Sequence, residues 1–346
     1  MYGGGGLVGA GATVLGVMVA EAALARRAIG EPKGAPPDPS GVYVADGVPS
    51  GASAAHIVLA GDSSAAGLGV DLPAQTPAAV IATGLSARLQ RPVVASVVAQ
   101  VGARSSDLDA QLDLVLHTAP DGVRSAPDLV VVMIGANDVT HRVLPAESVR
   151  HLGEAVRRLR AAGVEVVVGT CPDLGTVQPI RHPLRLVARR WSRSLAAAQT
   201  IAVVEAGGRS VSLADLLGAE FEHKAHEFFG PDRFHPSPAG YAAAAEALLP
   251  SAIDAFENPA TAAVEAGAQI DVMPIADAAV AAVDAGGTEV VGAQVDGRRR
   301  GPLGLWVSLR RLPRRNTAAT HTTVDLTGGE VASHDDAGTP TEPPRR

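Results

Sequence analysis

From residue 55 to about 204 the chain alternates between short runs that are apolar throughout and longer stretches whose apolar positions recur every three or four residues. The short runs, at 57–59, 93–98, 129–134, 164–168 and 201–204, are rich in β-branched residues and predict strands. The longer stretches, near 78–89, 108–116, 148–161 and 184–198, predict helices. A strand without a polar face has both faces covered, so this alternation predicts an α/β fold in which a parallel sheet lies between two layers of helices. Downstream, Ser237-Pro238 sets an N-cap before a proline at the first helical position and predicts a helix through Tyr241 to about Phe256. One more helix is predicted over 276–285, and a short strand or hairpin over 288–295.

The two ends of the chain depart from this pattern. Residues 3–20 carry no charge, and the apolar character continues to Ala25, broken by Glu21 and followed by Arg26 and Arg27. That length suffices for a membrane-spanning helix of ~20 residues. A cleaved signal peptide is the rival, since Ala23-Leu24-Ala25 resembles a cleavage site, but the positive n-region of a signal peptide is missing. The chain therefore divides into an N-terminal membrane-anchor helix (1–29), a Pro/Gly-rich linker (30–54), the α/β domain (55–256), a C-terminal extension (257–316) and a polar tail expected to be disordered (317–346). Positive residues flanking a membrane helix tend to stay inside, so Arg26 and Arg27 place the α/β domain in the cytoplasm; the alternative is secretion after cleavage. In the extension, Arg298-Arg299-Arg300, Arg310-Arg311 and Arg314-Arg315 flank Leu303, Leu305, Trp306 and Leu309. This segment reads equally well as a solvated basic stretch or as a contact for anionic lipid headgroups.

Composition removes several function classes. Hydrophobic residues make up 47% and aromatics only 3%, so the core must be built from Val, Leu and Ala. A net charge of −7 leaves no overall basic footprint for nucleic acid. Cys171 is the only cysteine, which rules out an intrachain disulfide and a Cys-based metal site and fits a reducing compartment. It ends a predicted strand and reads as a small buried apolar residue. His223 and His226 would share one face of a helix, yet no third ligand lies nearby, so they read as surface residues. Neither a metal nor a cofactor is expected.

The chemistry gathers at the ends of the predicted strands. In the stretch Ile57–Val70, an apolar run breaks into Gly61-Asp62-Ser63 and then Gly67-Leu68-Gly69. A phosphate-binding P-loop would need a glycine where Ala66 stands and a lysine after it, and a dinucleotide fingerprint would need glycine at Leu72. A nucleophilic serine remains, and it needs a base, an orienting acid and oxyanion donors. Gly102 follows the second predicted strand, Gly135-Ala136-Asn137-Asp138 the third, and Asp232-Arg233-Phe234-His235-Pro236 precedes the capped helix. Taken singly, Ser63 could be a helix cap and Asn137 and Asp138 turn residues.

Taken together, and in this order, these blocks resemble the SGNH hydrolases, also called GDSL esterases and lipases. The resemblance spans residues 55–256, with Ser64 standing where the family's name-giving leucine would be. It implies a three-layer α/β/α fold with a parallel, flavodoxin-like five-stranded sheet. It also implies that Ser63 is the nucleophile, His235 the general base, Asp232 the acid that orients it, and the Ser63 and Gly102 N–H groups with the Asn137 amide the oxyanion hole. A glycine at 102 would keep a side chain from crowding the substrate. The implied reaction is hydrolysis of an acyl ester through an acyl-enzyme, the alternatives being acyl transfer, deacetylation of a carbohydrate, or a non-catalytic docking module on the same fold. An α/β-hydrolase would carry G-x-S-x-G and a well-separated acid and histidine, neither of which is present.

Overall fold

The structure is a computed structural model and describes residues 34–116, 126–213, 225–259, 271–285, 287–292, 300–301, 304–311 and 323–324, with residues 17, 20, 21, 23–25, 27 and 28. Among these the strands are β1 (Gly41–Tyr43), β2 (Ala55–Gly61), β3 (Val93–Val97), β4 (Leu129–Met133), β5 (Glu165–Gly169), β6 (Arg209–Val211), β7 (Asp271–Pro274), β8 (Thr288–Gly292), β9 (Arg300–Gly301), β10 (Gly304–Arg311) and β11 (Thr323–Val324). The helices are α1 (Ser63–Ala66), α2 (Pro77–Leu89), α3 (Leu108–Val115), α4 (Ala136–Thr140), α5 (Pro145–Ala161), α6 (Leu184–Glu205), α7 (Ala225–Phe228), α8 (Pro238–Glu257) and α9 (Ile275–Val283).

All strands join one sheet, ordered β11-β1-β3-β2-β4-β5-β6-β8-β10-β7, with β9 paired to β10. The run β3-β2-β4-β5-β6 is parallel and has the expected flavodoxin-like order. Its alternating side chains feed two cores. Ile57, Leu59, Leu129, Val131, Val167 and Val211 face α2 and α8. Val58, Ala60, Val130, Val132, Val166 and Val168 face α3, α5 and the end of α6. Burial on both faces explains why these strands carry no polar alternation. In such sheets the strand order reverses beside β2, and a crevice opens at the C-terminal ends there.

The structure departs from the pattern-based reading in three places. Residues 201–204 are not a strand but the last turn of α6, where Leu195, Ala196, Gln199, Thr200, Val203 and Val204 form one buried face at helical spacing. Gly207, at φ +88°, then turns the chain, and the fifth parallel strand is the short β6 beyond it. Inside the stretch read as linker, β1 pairs antiparallel with β3, with Tyr43 buried and its hydroxyl donating to Pro39 O at 2.6 Å. The extension is a continuation of the sheet, because β8 pairs antiparallel with β6 and β10 with β8 and β7. The junction holds a buried ion network. Arg209 on β6 donates to Asp254 and to Glu289 on β8 (3.2 Å), and also to the carbonyls of Asp254 (3.4 Å) and Asn258 (2.9 Å).

Part of the basic segment, 304–311, is thus strand β10, with Val307 buried against Ala278 and Ala282 of α9. Arg298, Arg299, Leu303, Arg314, Arg315, His223 and nearly all of 317–346 lie outside the described residues, as does most of 1–29. No described helix is long and apolar enough to cross a membrane. Where the N-terminal segment is described it touches the domain: Glu21 accepts the Leu184 N–H at 2.9 Å, and Ala28 O accepts from the Arg233 guanidinium at 3.0 Å.

Candidate active site

The site starts at the end of β2. Gly61 has φ +130°, and a Cβ there would stand 1.9 Å from Met133 O, so only glycine lets β2 end against β4. The Gln111 side chain grips this turn from α3, accepting the Gly61 N–H at 2.7 Å and donating to Gly61 O at 2.8 Å. Asp62 caps the short helix α1 by accepting the Ser64 N–H at 2.8 Å, which places Ser63 at the first helical position. Asp62 is therefore a structural residue. Burial pushes its carboxyl up to about 6, with Asp138 adding to the shift and the Ser64 hydrogen bonds and the charge of His235 opposing it.

His235 arrives on the loop between α7 and α8, which is closed on itself. Gly230 N–H donates to His235 O (2.8 Å), and Arg233, left-handed at φ +60°, donates back to Gly230 O (2.9 Å). One Asp232 oxygen accepts the N–H groups of Phe234 and His235, each at 3.0 Å. The other oxygen meets His235 Nδ1 at 2.6 Å, and His235 Nε2 lies 3.1 Å from Ser63 Oγ. Burial would raise the Asp232 carboxyl, but the hydrogen bonds from His235 and Phe234 outweigh it and hold the group below its ordinary range. Gly69 lets the loop after α1 pass directly behind the ring, since a Cβ at its φ of +105° would be 3.1 Å from His235 Cβ. The buried Tyr241 hydroxyl fixes that loop by donating to Leu68 O at 2.7 Å.

Asn137 comes from the first turn of α4. Its amide donates to Ala103 O at 3.0 Å, and its neighbour Asp138 accepts the Ser105 N–H at 3.1 Å and the Ser105 hydroxyl at 3.2 Å. These contacts tie α4 to the loop that carries Gly102. That glycine has a left-handed φ of +84°, and a Cβ built on it would meet nothing within 4 Å. Three partners have no signature in the sequence, namely Gln111, Ser105 and Gln199. Gln199 accepts Cys171 N–H at 2.7 Å and donates to Ile134 O at 3.0 Å, thereby joining the ends of β4 and β5.

Comparison with known proteins resolves the kinship. The sequence profile of the GDSL-like Lipase/Acylhydrolase family matches residues 59–243. The chain is also 38% identical over 261 residues to a GDSL-like esterase of Mycobacterium tuberculosis, covering 73% of this chain and 82% of that protein. The chain belongs to the GDSL-like acylhydrolases. This acylhydrolase is an enzyme acting on ester bonds. Among solved structures it is similar to LAE5, an alpha/beta hydrolase enzyme from the metagenome of Lake Arreo, Spain (21% identity, 58% of this chain and 95% of that one, TM-score 0.44). It is also similar to an acetyl xylan esterase from Geobacillus stearothermophilus (19% identity, 57% and 94%, TM-score 0.44).

The acylhydrolase has a cleft beside Ser63. Asn137, Pro172, Phe234, His235 and Pro236 form its half-buried rim, and buried residues from the ends of β4, β5 and β6 and from the first turns of α8 form its inner wall. Phe234 meets the His235 ring edge-on, with centroids 5.0 Å apart. Among the described residues no group of three or more His, Cys, Asp or Glu could hold a metal ion.

Proposed function

We propose that this acylhydrolase works through a covalent acyl-enzyme on Ser63, with His235 carrying the proton and Asp232 orienting it. The unbroken series of hydrogen bonds from Ser63 Oγ through the imidazole to Asp232 Oδ2 carries this reading. Ser63 Oγ attacks the ester carbonyl carbon while its proton passes to His235 Nε2. The Asp232 carboxylate fixes the Nδ1–H tautomer and stabilises the imidazolium that forms. Nε2 then returns the proton to the departing alcohol as the C–O bond breaks. Water repeats the sequence on the acyl-serine: Nε2 takes its proton, the acid is released and Ser63 regains its hydrogen.

The negative carbonyl oxygen in each tetrahedral intermediate falls to the Ser63 and Gly102 N–H groups and to the second N–H of the Asn137 amide. Each donor of this kind is worth ~3–4 kcal/mol in the transition state. Tethering of the enzyme by the apolar run ahead of Arg26 belongs to the same proposal, and the length of that run supports it.

A fluorophosphonate probe tests the assignment, because it reacts only with an activated serine. The full chain should be labelled once, and Ser63→Ala should lose both the label and ester turnover while keeping its circular dichroism spectrum. Labelling that persists in Ser63→Ala would place the nucleophile elsewhere.

A further inference from the structure

The Gly102 N–H belongs to a tight turn. Ala103 N–H donates to Gln100 O at 3.1 Å across Val101 and Gly102, and Gly102 has the left-handed φ that the third position of a type II turn requires. The amide between Val101 and Gly102 is the central peptide of this turn. The turn's own hydrogen bond does not use its N–H, so where that N–H lies depends on how the turn is held. The entry is held by β2, because Gln100 N–H donates to Gly61 O at 3.1 Å, two residues before Ser63. The exit is held by α4, where Asn137 reaches Ala103 O and Asp138 reaches the N–H and hydroxyl of Ser105.

Asp138 is held in turn from α5. Ser148 lies in the first turn of that helix and is fully buried. Its hydroxyl is 2.8 Å from Ser105 Oγ and also bonds the Asp138 carboxylate. Burial pushes the Asp138 carboxyl up, and the bonds from Ser105 and Ser148 oppose that shift. Three side chains from three parts of the chain, each no more than 1% exposed, thus form one buried cluster.

Resting on the acyl-enzyme reading, we propose that Asp138, Ser105 and Ser148 are positioning residues of the oxyanion hole, holding the Gln100–Ala103 turn and the start of α4 so that the Gly102 N–H and the Asn137 amide converge with the Ser63 N–H on one oxygen.

Two of the three donors depend on this cluster. Asn137 is the chain neighbour of Asp138, and Gly102 is three residues from Ser105. None of the three cluster side chains lines the cleft, so their effect on turnover passes through Gly102 and Asn137. Removing the Ser148 hydroxyl leaves a buried carboxylate one donor short, and such a group shifts toward whatever donors remain. That shift moves Ser105 and Asn137 together. Misplacing a group at the reacting centre by about 1 Å can cost on the order of 100-fold in rate, so a small displacement is enough to register.

The test compares the p-nitrophenyl ester that the wild type turns over fastest with its thiono counterpart, in which sulfur replaces the carbonyl oxygen. Sulfur is a weak acceptor, so the thiono ester gains little from donors aimed at an oxyanion. The oxo-to-thiono ratio of kcat therefore reports the oxyanion hole. A partly unfolded preparation loses both rates alike and keeps the ratio. The full chain is measured as wild type, Ser105→Ala, Ser148→Ala, Asp138→Ala, Asp138→Asn and Asn137→Ala. The two serine variants should each lower kcat on the oxygen ester about three- to tenfold and Asp138→Ala at least about 30-fold, with KM within about twofold and the ratio falling by the same factor as kcat. Asp138→Asn keeps an acceptor for the Ser105 N–H and should retain more of the ratio than Asp138→Ala. Ratios equal to wild type in the two serine variants or in Asp138→Ala, whatever their absolute rates, would overturn the positioning role and leave the cluster a structural one. An unchanged ratio in Asn137→Ala would overturn the oxyanion hole itself, and absence of turnover on every such ester by folded wild-type protein would overturn the acyl-enzyme reading.

Discussion

Replacing Arg209 by leucine is expected to destabilise the protein by about 3–5 kcal/mol, the cost of removing one partner from a buried ion network. The arginine side chain is only 4% exposed and serves two carboxylates and two carbonyls at the end of α8. Without it, Glu289, which is fully buried, loses its 3.2 Å ion pair with the guanidinium. Asp254 is better placed, with its side chain 20% exposed and within reach of water. The double variant Arg209→Leu/Glu289→Leu should be less destabilised than the sum of the two single variants, since removing both partners takes away the pair's desolvation cost with its attraction and apolar groups fill similar volume. Urea unfolding of the wild type, both single variants and the double variant, followed by circular dichroism, measures this directly. All four should unfold in one transition with similar m-values, because β6 and β8 share one sheet and the extension is part of the folded unit. If Arg209→Leu fell within about 1 kcal/mol of wild type, or if the two single losses simply added in the double variant, the Arg209–Glu289 pair would not be the bond between domain and extension.

Three further outcomes follow from the site and the chain ends. Asn137→Ala should lower kcat by about 100-fold or more with little change in KM, since an oxyanion donor acts mainly in the transition state; a change confined to KM in steady-state kinetics would make Asn137 a substrate-binding residue. Asp62 has its folded carboxyl raised to about 6, so its contribution to stability is greatest below its unfolded value near 4 and is lost as pH rises through 6. The stability of the wild type relative to Asp62→Asn should thus fall by about 2 kcal/mol between pH 4 and pH 7, and a pH-independent difference in urea titrations would count against that burial effect. Finally, the full chain should fractionate with membranes and be shielded from protease added to intact cells, whereas a version lacking residues 1–30 should not sediment. Recovery of an extracellular chain beginning at Arg26 would make the segment a cleaved signal peptide.

The parts of this molecule that were readable from sequence are those where burial imposes one residue type. Strands covered on both faces must be apolar throughout, and the four blocks around Ser63, Gly102, Asn137 and His235 lie where a parallel sheet places its chemistry. Residues 201–204 misled because Val203 and Val204 satisfy a buried helix face as well as they would a strand, and so short an apolar run cannot separate the two. β6 was hidden for the opposite reason: a three-residue strand that opens with a buried arginine carries no strand signal until Asp254 and Glu289 are seen around it. Gly102 was identified as a site residue, whereas its left-handed φ of +84° is a backbone angle that composition does not report. Gln111, Ser105 and Gln199 act by bonding to main chain far away in sequence, and such roles become visible only once the chain is folded.

The self-closed loop around Asp232 has a consequence for the order in which activity is assembled. The contact between acid and base spans three residues, and its supporting hydrogen bonds all fall between Gly230 and His235. Joining it costs little chain entropy. The contact between base and nucleophile spans 172 residues and closes only when the first strand of the parallel sheet and the last helix of the domain are both in place. Loop-closure entropy for a separation of that size must be offset by the rest of the fold first. The proton-carrying pair is thus a local product of its own segment, whereas the serine joins it only through global topology. Ester turnover consequently reports long-range assembly of this chain more sensitively than any spectroscopic measure of helix content, since a species with every helix formed and the sheet unclosed would hold an oriented histidine and still be silent.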